Sequence, residues 1–406
     1  MSGGQSATPH TAVADCRCEP EAFCTDNVKD VKHRLGTLTA WVAPMHLRLI
    51  PAVLITLFFL APLRAQNTAT VAPRVEFKSA TRMKLPGDVD SNSPAVWDRV
   101  RGQSLMFVMT SWAGQPSTSA GFGLTSLTKT APARLEWPGG GVWMEAVLVD
   151  DGGTWYGYYH NEVRATECGP DSVKVIPRIG AARSNDYGAT WEPLGVILEA
   201  PPRSYDCATN NKYFVGGIGD LSVQLDPESR DLYIFYSEYI RSAMFQGVGI
   251  ARLAWADRDE PVGKVMVWNG RTWLPPLQSR FSATPRWIYR AALPVFPTAE
   301  PWHDDDTAVD AFWGPSVHWN TYLEQYVMLL NHAKNENFDQ EGIYISYAPR
   351  LDDPALWSEP VKIVNGGSWY PQVMGLEIPG GSDKMAGQTA RFFMAGTSTA
   401  LIQFSR

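Results

Sequence analysis

Three acidic residues stand where runs of apolar, strand-forming residues begin. Asp90 precedes SNSPAVW, Glu145 sits between Met144 and Ala146 ahead of Val-Leu-Val, and Asp220 precedes LSVQL. Burying a carboxylate is costly unless it is paired or put to use, so acids at the edge of apolar runs are candidates for proton chemistry. Glu145 has the least comfortable structural explanation of the three. Asp90, within Asp88-Val-Asp90-Ser-Asn-Ser-Pro94, also fits turn chemistry, and Asp220, after Gly217-Ile-Gly219, could cap a turn. Brought together, such residues could cleave a glycosidic bond. That reaction needs one protonated and one ionised carboxyl group, and a third acid nearby can raise a neighbour's pKa.

The elements that would position them are hairpins. Glu145 opens a strand that runs through an Asp-Asp-Gly-Gly turn into the aromatic strand Thr154-Trp-Tyr-Gly-Tyr-Tyr159. Comparable strand pairs recur with heads at Asp90, Glu145, Asp220, Trp313 and Tyr370. Outer strand pairs follow several of them, and the irregular excess in spacing falls in loops 161–178, 200–218 and 275–312. From Val75 onward there is no amphipathic helix longer than a turn or two. Sixteen Trp, 15 Tyr and 16 Phe, with 34 Gly and 30 Pro, suit many short strands and tight turns, with most of the aromatics serving as packing. Repeated four-stranded units predict an all-β, five-bladed β-propeller, with Val75–Leu85 supplying a strand that closes the ring against the last blade. An ordinary β-sandwich is the competing reading.

In a propeller the leading ends of the inner strands face one mouth of the central channel, so Asp90, Glu145 and Asp220 should converge there. A strand pair returns to the face it started from. His160 and Glu162, ending the second hairpin, and Asn331 and His332, ending the fourth, are therefore secondary candidates for substrate contacts. Trp143, Trp313 and Trp369 all sit at blade heads, which suits either a sugar-stacking platform or packing between blades. No cofactor is expected. Asp304, Asp305 and Asp306 could hold a structural Ca²⁺, although they lack regular ligand spacing.

Ser184-Asn-Asp-Tyr-Gly-Ala-Thr-Trp191 matches an Asp-box, S-x-D-x-G-x-T-W. Its physical logic is a hairpin turn: Asp186 bonds turn amides, Gly188 takes positive φ, and Trp191 packs beneath. The motif supports a propeller and says little about substrate. A P-loop, a dinucleotide fingerprint, H-E-x-x-H and G-x-S-x-G are absent from the sequence,.

Met45-His-Leu-Arg-Leu leads into IPAVLITLFFLA and then Pro-Leu-Arg-Ala65, the pattern of a secretory signal over residues 45–65,; an uncleaved anchor is the runner-up. Residues 1–44 then read as a disordered extension or as sequence upstream of the true start, and residues 66–406 as the propeller domain. Trimming removes Cys16, Cys18 and Cys24 and leaves Cys168 and Cys207, which in an exported chain would pair and staple two polar loops. The expected location is secreted or periplasmic, as a monomer without stable membrane insertion after cleavage. A formal net charge of −7 with no Lys/Arg cluster argues against a nucleic-acid partner and against an anionic polymer.

In the layout of these hairpins and acids, residues 75–406 resemble the five-bladed glycoside hydrolases, the superfamily of arabinanases, β-xylosidases, invertases and levansucrases. The resemblance implies a carbohydrate substrate and a base or nucleophile at Asp90, the first-blade acid. Those enzymes commonly carry an auxiliary Asp on the second or third blade and an acid Glu on a later one. Here the order is exchanged: Glu145 has the residue type of the proton donor and Asp220 its blade, so the two share the donor and pKa-tuning roles. A non-catalytic carbohydrate-binding propeller is the main alternative, and a propeller serving protein contacts is a third. A sialidase is weaker still, because Pro177-Arg-Ile-Gly180 lacks the start of the Phe-Arg-Ile-Pro pattern and the Asp-box is not repeated.

Overall fold

Strand after strand in this chain carries apolar residues on both faces, which only a fold that covers both faces of each sheet can accommodate. The computed structural model describes residues 73–135, 139–279, 286–303 and 308–406. Among them, five sheets follow one another along the chain as blades. The signal-like segment and the residues before it lie outside the described residues, as do Asp304, Asp305 and Asp306. No helix of the described residues is long and apolar enough to cross a membrane.

Blade 1 consists of Ala95–Val100, Gln103–Trp112, Gln115–Gly121 and Thr128–Pro132. The main strands of blade 2 are Gly141–Val149, Trp155–Arg164, Val175–Ser184 and Thr190–Leu198. Blade 3 runs from Ile218–Leu225 through Asp231–Glu238 and Gly247–Ala254 to Met266–Trp268. Blade 4 comprises Ala308–Asn320, Gln325–Asn335, Gln340–Ala348 and Val361–Asn365. In blade 5, Gln372–Gly375, Thr389–Met394 and Thr397–Ser405 are joined by the first described strand, Arg74–Lys84. That strand lies antiparallel to the last, Arg74 opposite Ser405 and Lys84 opposite Thr397, and closes the ring as expected.

The second strand of each blade shows why the sequence reads as it does. In blade 2, Trp155 and Tyr159 pack toward blade 1 with Phe107 and Met109. Tyr156 and Tyr158 pack toward blade 3 with Leu221, Leu232 and Ile234. In blade 3, Tyr233 and Phe235 turn the other way, against Val317, Met328 and Leu330 of blade 4. Side chains alternate across a strand, so each sheet feeds two interfaces, and Val327, Leu329, Phe392 and Phe404 fill the one between blades 4 and 5. Leu85, Val108, Met374 and Phe393 complete the circuit between blades 5 and 1.

Near the axis the ties are polar. Asn92 Nδ2 donates to the carbonyls of Leu221 and Pro315, both at 2.9 Å, reaching from blade 1 to blades 3 and 4. The Asp-box forms the outer turn of blade 2. Asp186 accepts the Thr190 amide at 2.8 Å, Gly188 has φ +77°, and the buried Trp191 indole donates to the Gly188 carbonyl at 3.1 Å. Cys168 and Cys207 form a disulfide, joining the polar loop before the Val175–Ser184 strand to the one after the Thr190–Leu198 strand.

Candidate active site

Two of the three acids at strand heads owe their direction to a fault in the ladder. In blade 2, Met144 pairs with Tyr159 and Ala146 with Tyr158, leaving Glu145 as an extra residue. In blade 3, Gly219 pairs with Ser237 and Leu221 with Tyr236, leaving Asp220 extra. Such bulges re-aim a side chain out of the pleat. Asp220 accepts φ +45° to do so, a conformation uncommon outside Gly. Blade 4 has a bulge at the matching point, where Gly314 and Pro315 carry no acid. Asp90 lies ahead of the first strand of blade 1, its amide donating to the Ser111 carbonyl at 2.9 Å.

His160 is the centre of the cluster. It stands opposite Trp143 in the blade 2 ladder, and its ring lies against the backbone of Gly219, where a Cβ would come within 2.8 Å of its Cε1. Only glycine leaves that space. Glu145 Oε1 lies 3.5 Å from Nδ1, Asp220 Oδ1 3.7 Å from Nδ1, and Glu162 Oε1 3.6 Å from Nε2. The Asp220 amide also points at Nδ1, at 3.3 Å, which would require a neutral ring. Three carboxylates around one imidazole decide the matter for the cation. Burial opposes that charge, but Asp220, Glu145 and Glu162 outweigh it and hold His160 well above its ordinary pKa.

The acids are not equivalent. Glu145 is wholly buried, at 0% exposure, and its Oε2 accepts the Leu221 amide at 3.0 Å. Burial pushes its pKa up to about 7, with His160 pulling the other way. Asp90 is half-buried. Burial and the nearby charge of Asp220 raise it to about 6, against the opposing pull of His160 and the Trp143 indole N–H. Burial also raises Glu162, helped by the charges of Asp220 and Asp90 and resisted by His160. Asp220 accepts a hydrogen bond of 2.5 Å from the Tyr239 hydroxyl, whose own pKa burial and Asp220 push far up.

Asp90, Glu162 and Asp220 face one pocket of about 70 Å³, walled by Tyr213, Phe214, Trp313, Phe338, Trp369 and Tyr370. The walls form a continuous aromatic cluster with Tyr239 and Trp302. Trp313 meets Phe338 at 4.9 Å and Trp369 at 5.7 Å, both edge-on. The Trp369 indole donates to the Phe338 carbonyl at 2.8 Å.

The structure therefore brings together Asp90, Asp220, Glu162, Trp313 and Trp369 at one pocket, with His160 and Glu145 packed behind it. Trp143 is also behind: it is buried against His160, their ring centres 5.5 Å apart, and does not line the pocket. His332 lies elsewhere. Alternation along its strand gives the mouth side to Asn331, whose amide reaches the Trp313 and Gly314 carbonyls, and turns His332 into a separate cleft. Tyr213, Phe214, Tyr239 and Phe338 join the site without having stood out in the sequence. Tyr239 follows the second strand of blade 3 much as Glu162 ends that of blade 2, so the hairpin rule that found Glu162 could have found it.

Ligand atoms of Glu145, His160 and Asp220 all lie within 4.8 Å of one another, a spacing open to a metal ion. An imidazolium among carboxylates already balances charge there, so the group fits an internal ion pair better than a set of metal ligands.

No family model matches the sequence, and no curated protein matches it. Solved structures do resemble the fold. One is an endo-arabinase from Bacteroides thetaiotaomicron, at 10% identity and TM-score 0.44, over 80% of this chain and 97% of that one. Another is an arabinanase from Bacillus subtilis, at 12% identity and TM-score 0.41, over 78% and 96%. A third is a family 117 glycoside hydrolase from Zobellia galactanivorans, at 13% identity and TM-score 0.41, over 81% and 90%. Likeness at this level carries no chemistry from those proteins to this one, whose site has to be read from its own residues.

Proposed function

We propose that this protein hydrolyses glycosidic bonds in a neutral glycan, as an exported monomer. The observation that carries the reading is the pocket where Asp90, Glu162 and Asp220 meet within aromatic walls. Two of those acids have raised pKa values, from burial and mutual charge. Asp90 serves as the base. Glu162 is assigned as the proton donor because it lines the pocket beside Asp90 and Asp220, where burial raises its pKa,. Asp220, held by the Tyr239 hydroxyl and beside the His160 ring, tunes the pair: its charge raises the pKa of both Asp90 and Glu162. Glu145, fully buried, acts through His160 and does not touch substrate. The disulfide and the signal-like segment support export.

The reaction balances without a cofactor. Glu162 gives its proton to the leaving oxygen, Asp90 takes one from water, and the water oxygen forms the new bond at the anomeric carbon. This is the inverting course, which leaves a carboxyl separation of about 6.5–9.5 Å; about 5–5.5 Å would make Asp90 a nucleophile with retention. A second reading, a non-catalytic glycan binder, draws on the same aromatic walls around a pocket of about 70 Å³ and needs no productive acid pair. Tyr213, at 43% exposure, is the exposed one among its aromatic walls.

Asp90→Asn and Glu162→Gln separate the readings. On any substrate that the wild type cleaves from a panel of aryl glycosides and neutral polysaccharides, each should lower kcat by about 10²–10⁴-fold with an unchanged melting temperature. Turnover as fast as wild type in both variants would sink the catalytic reading and leave the binder.

A further inference from the structure

The β-hairpin of blade 4 that carries Phe338 into the pocket has a second cleft behind it. Its volume is about 520 Å³, and its lining includes Asp310, Phe312, His332, Glu341 and Tyr344, a size ordinary for sites that take small ligands. The two cavities share a wall. Val309 and Ala333 line the cleft and also pack in the aromatic cluster with Trp313 and Phe338, while the turn between them is drawn tight by the Lys334 amide donating to the Asp339 carbonyl at 3.1 Å.

The cleft is built and held. Asp310 Oδ1 lies 2.6 Å from His332 Nε2, and Glu341 Oε2 lies 3.1 Å from Nδ1, so the imidazole is fixed at both ends. Glu341 is fixed in turn by the Tyr344 hydroxyl at 3.0 Å and by the Lys362 ammonium. Phe312 meets the His332 ring at 4.6 Å and the Tyr344 ring at 5.0 Å, and His332 meets Tyr344 at 5.0 Å. Three half-buried rings thus stand beside two carboxylates held in place by neighbours, the preorganisation a binding site needs.

The chemistry selects the ligand. Ring faces and edges suit the apolar C–H surface of a sugar, and carboxylate oxygens accept from its hydroxyls. Asp310 and Glu341 outnumber Lys334 along the lining, which disfavours an anion, and a cation would compete with Lys362 for Glu341. We propose that this cleft binds further glycosyl residues of the same neutral glycan whose end is held at the acid pocket, with Tyr344 as the stacking face and Asp310 as the hydroxyl acceptor. The inference rests on the glycan reading of the pocket but not on its catalysis.

The test uses the whole protein with Tyr344→Ala and, as an exposed site whose loss leaves the core intact, Asp310→Ala. Affinity is measured by titration calorimetry with di- to hexasaccharides of the arabino-, xylo-, galacto- and fructo- series. Kinetics are measured on an aryl monosaccharide glycoside. The expected result is about tenfold weaker binding of the longer oligosaccharides in Tyr344→Ala, a smaller loss in Asp310→Ala, and aryl glycoside kinetics equal to wild type. If the wild type binds oligosaccharides but cleaves nothing, and the variants still lose affinity, the cleft stands and the hydrolase reading falls. Equal affinities for all lengths in wild type and variants, or no binding of any length by wild type, would overturn the inference.

Discussion

At the scale of single residues the arrangement turns on His160. One buried ring lies within 3.7 Å of Glu145, Asp220 and Glu162, and its charge is felt at Asp90 as well. His160 pulls down the pKa of Asp90, Glu145 and Glu162, while Asp220 pushes up all three. A base must be ionised to act, so the acid limb of kcat/KM against pH should follow Asp90, with a midpoint near 6. Removing the cation in His160→Gln should move that midpoint upward by about one pH unit, and removing the anion in Asp220→Asn should move it downward by a similar amount. A residue that served only to hold the fold would lower activity without sliding the limb. Identical midpoints in wild type and both variants would show that Asp90 is not the titrating base.

At the scale of elements, the site is made by two bulges and by the loops that wall it. The loop from 200 to 217 brings Tyr213 and Phe214 to the pocket, and it is pinned by the Cys168–Cys207 bond and by Asn211, which accepts the amides of both aromatics. Replacing both cysteines by Ser removes a crosslink worth about 2–4 kcal/mol in chain-entropy accounting. It should lower the melting temperature, hasten protease cutting between 165 and 215, and raise KM several-fold while the ring persists. Wild-type KM in that variant would free the loop of any part in substrate binding. These elements also mark how far the sequence could be read. The hairpins, their heads and the Asp-box were legible because they depend on local periodicity and turn chemistry. Which acid would face the pocket was not. Glu145 and Asp220 are both displaced by a bulge, and whether the displaced side chain reaches solvent depends on what lies above it. Asn331 and His332 are neighbours sent to opposite sides by a register that blade 4 takes from its partners. Tyr213 and Phe214 sit in a loop without any period at all.

At the scale of the molecule, five blades share five apolar interfaces, and none is complete without both neighbours. The strand Arg74–Lys84 is what makes the fifth a full blade. Phe77 packs on Phe392 at 5.0 Å, and Arg391 reaches across to the Thr81 carbonyl and to Ser398. Deleting Arg74–Lys84 would expose Thr397–Ser405 as an open edge, a template for pairing between chains. The expected outcome is aggregation on size exclusion, with a synthetic peptide of residues 74–84 restoring the monomer; a soluble deletion variant that melts like wild type would contradict it. The same seam has a consequence in time. Ser405 bonds to the carbonyl of Arg74 across 331 positions of chain, so the ring cannot close until the Thr397–Ser405 strand has left the ribosome. Contacts of such separation are slow to form, and until then Asp90 on blade 1 has no wall from Tyr370 beside it. A chain still under synthesis is therefore open and inactive, its pocket assembled only once the fifth blade is whole.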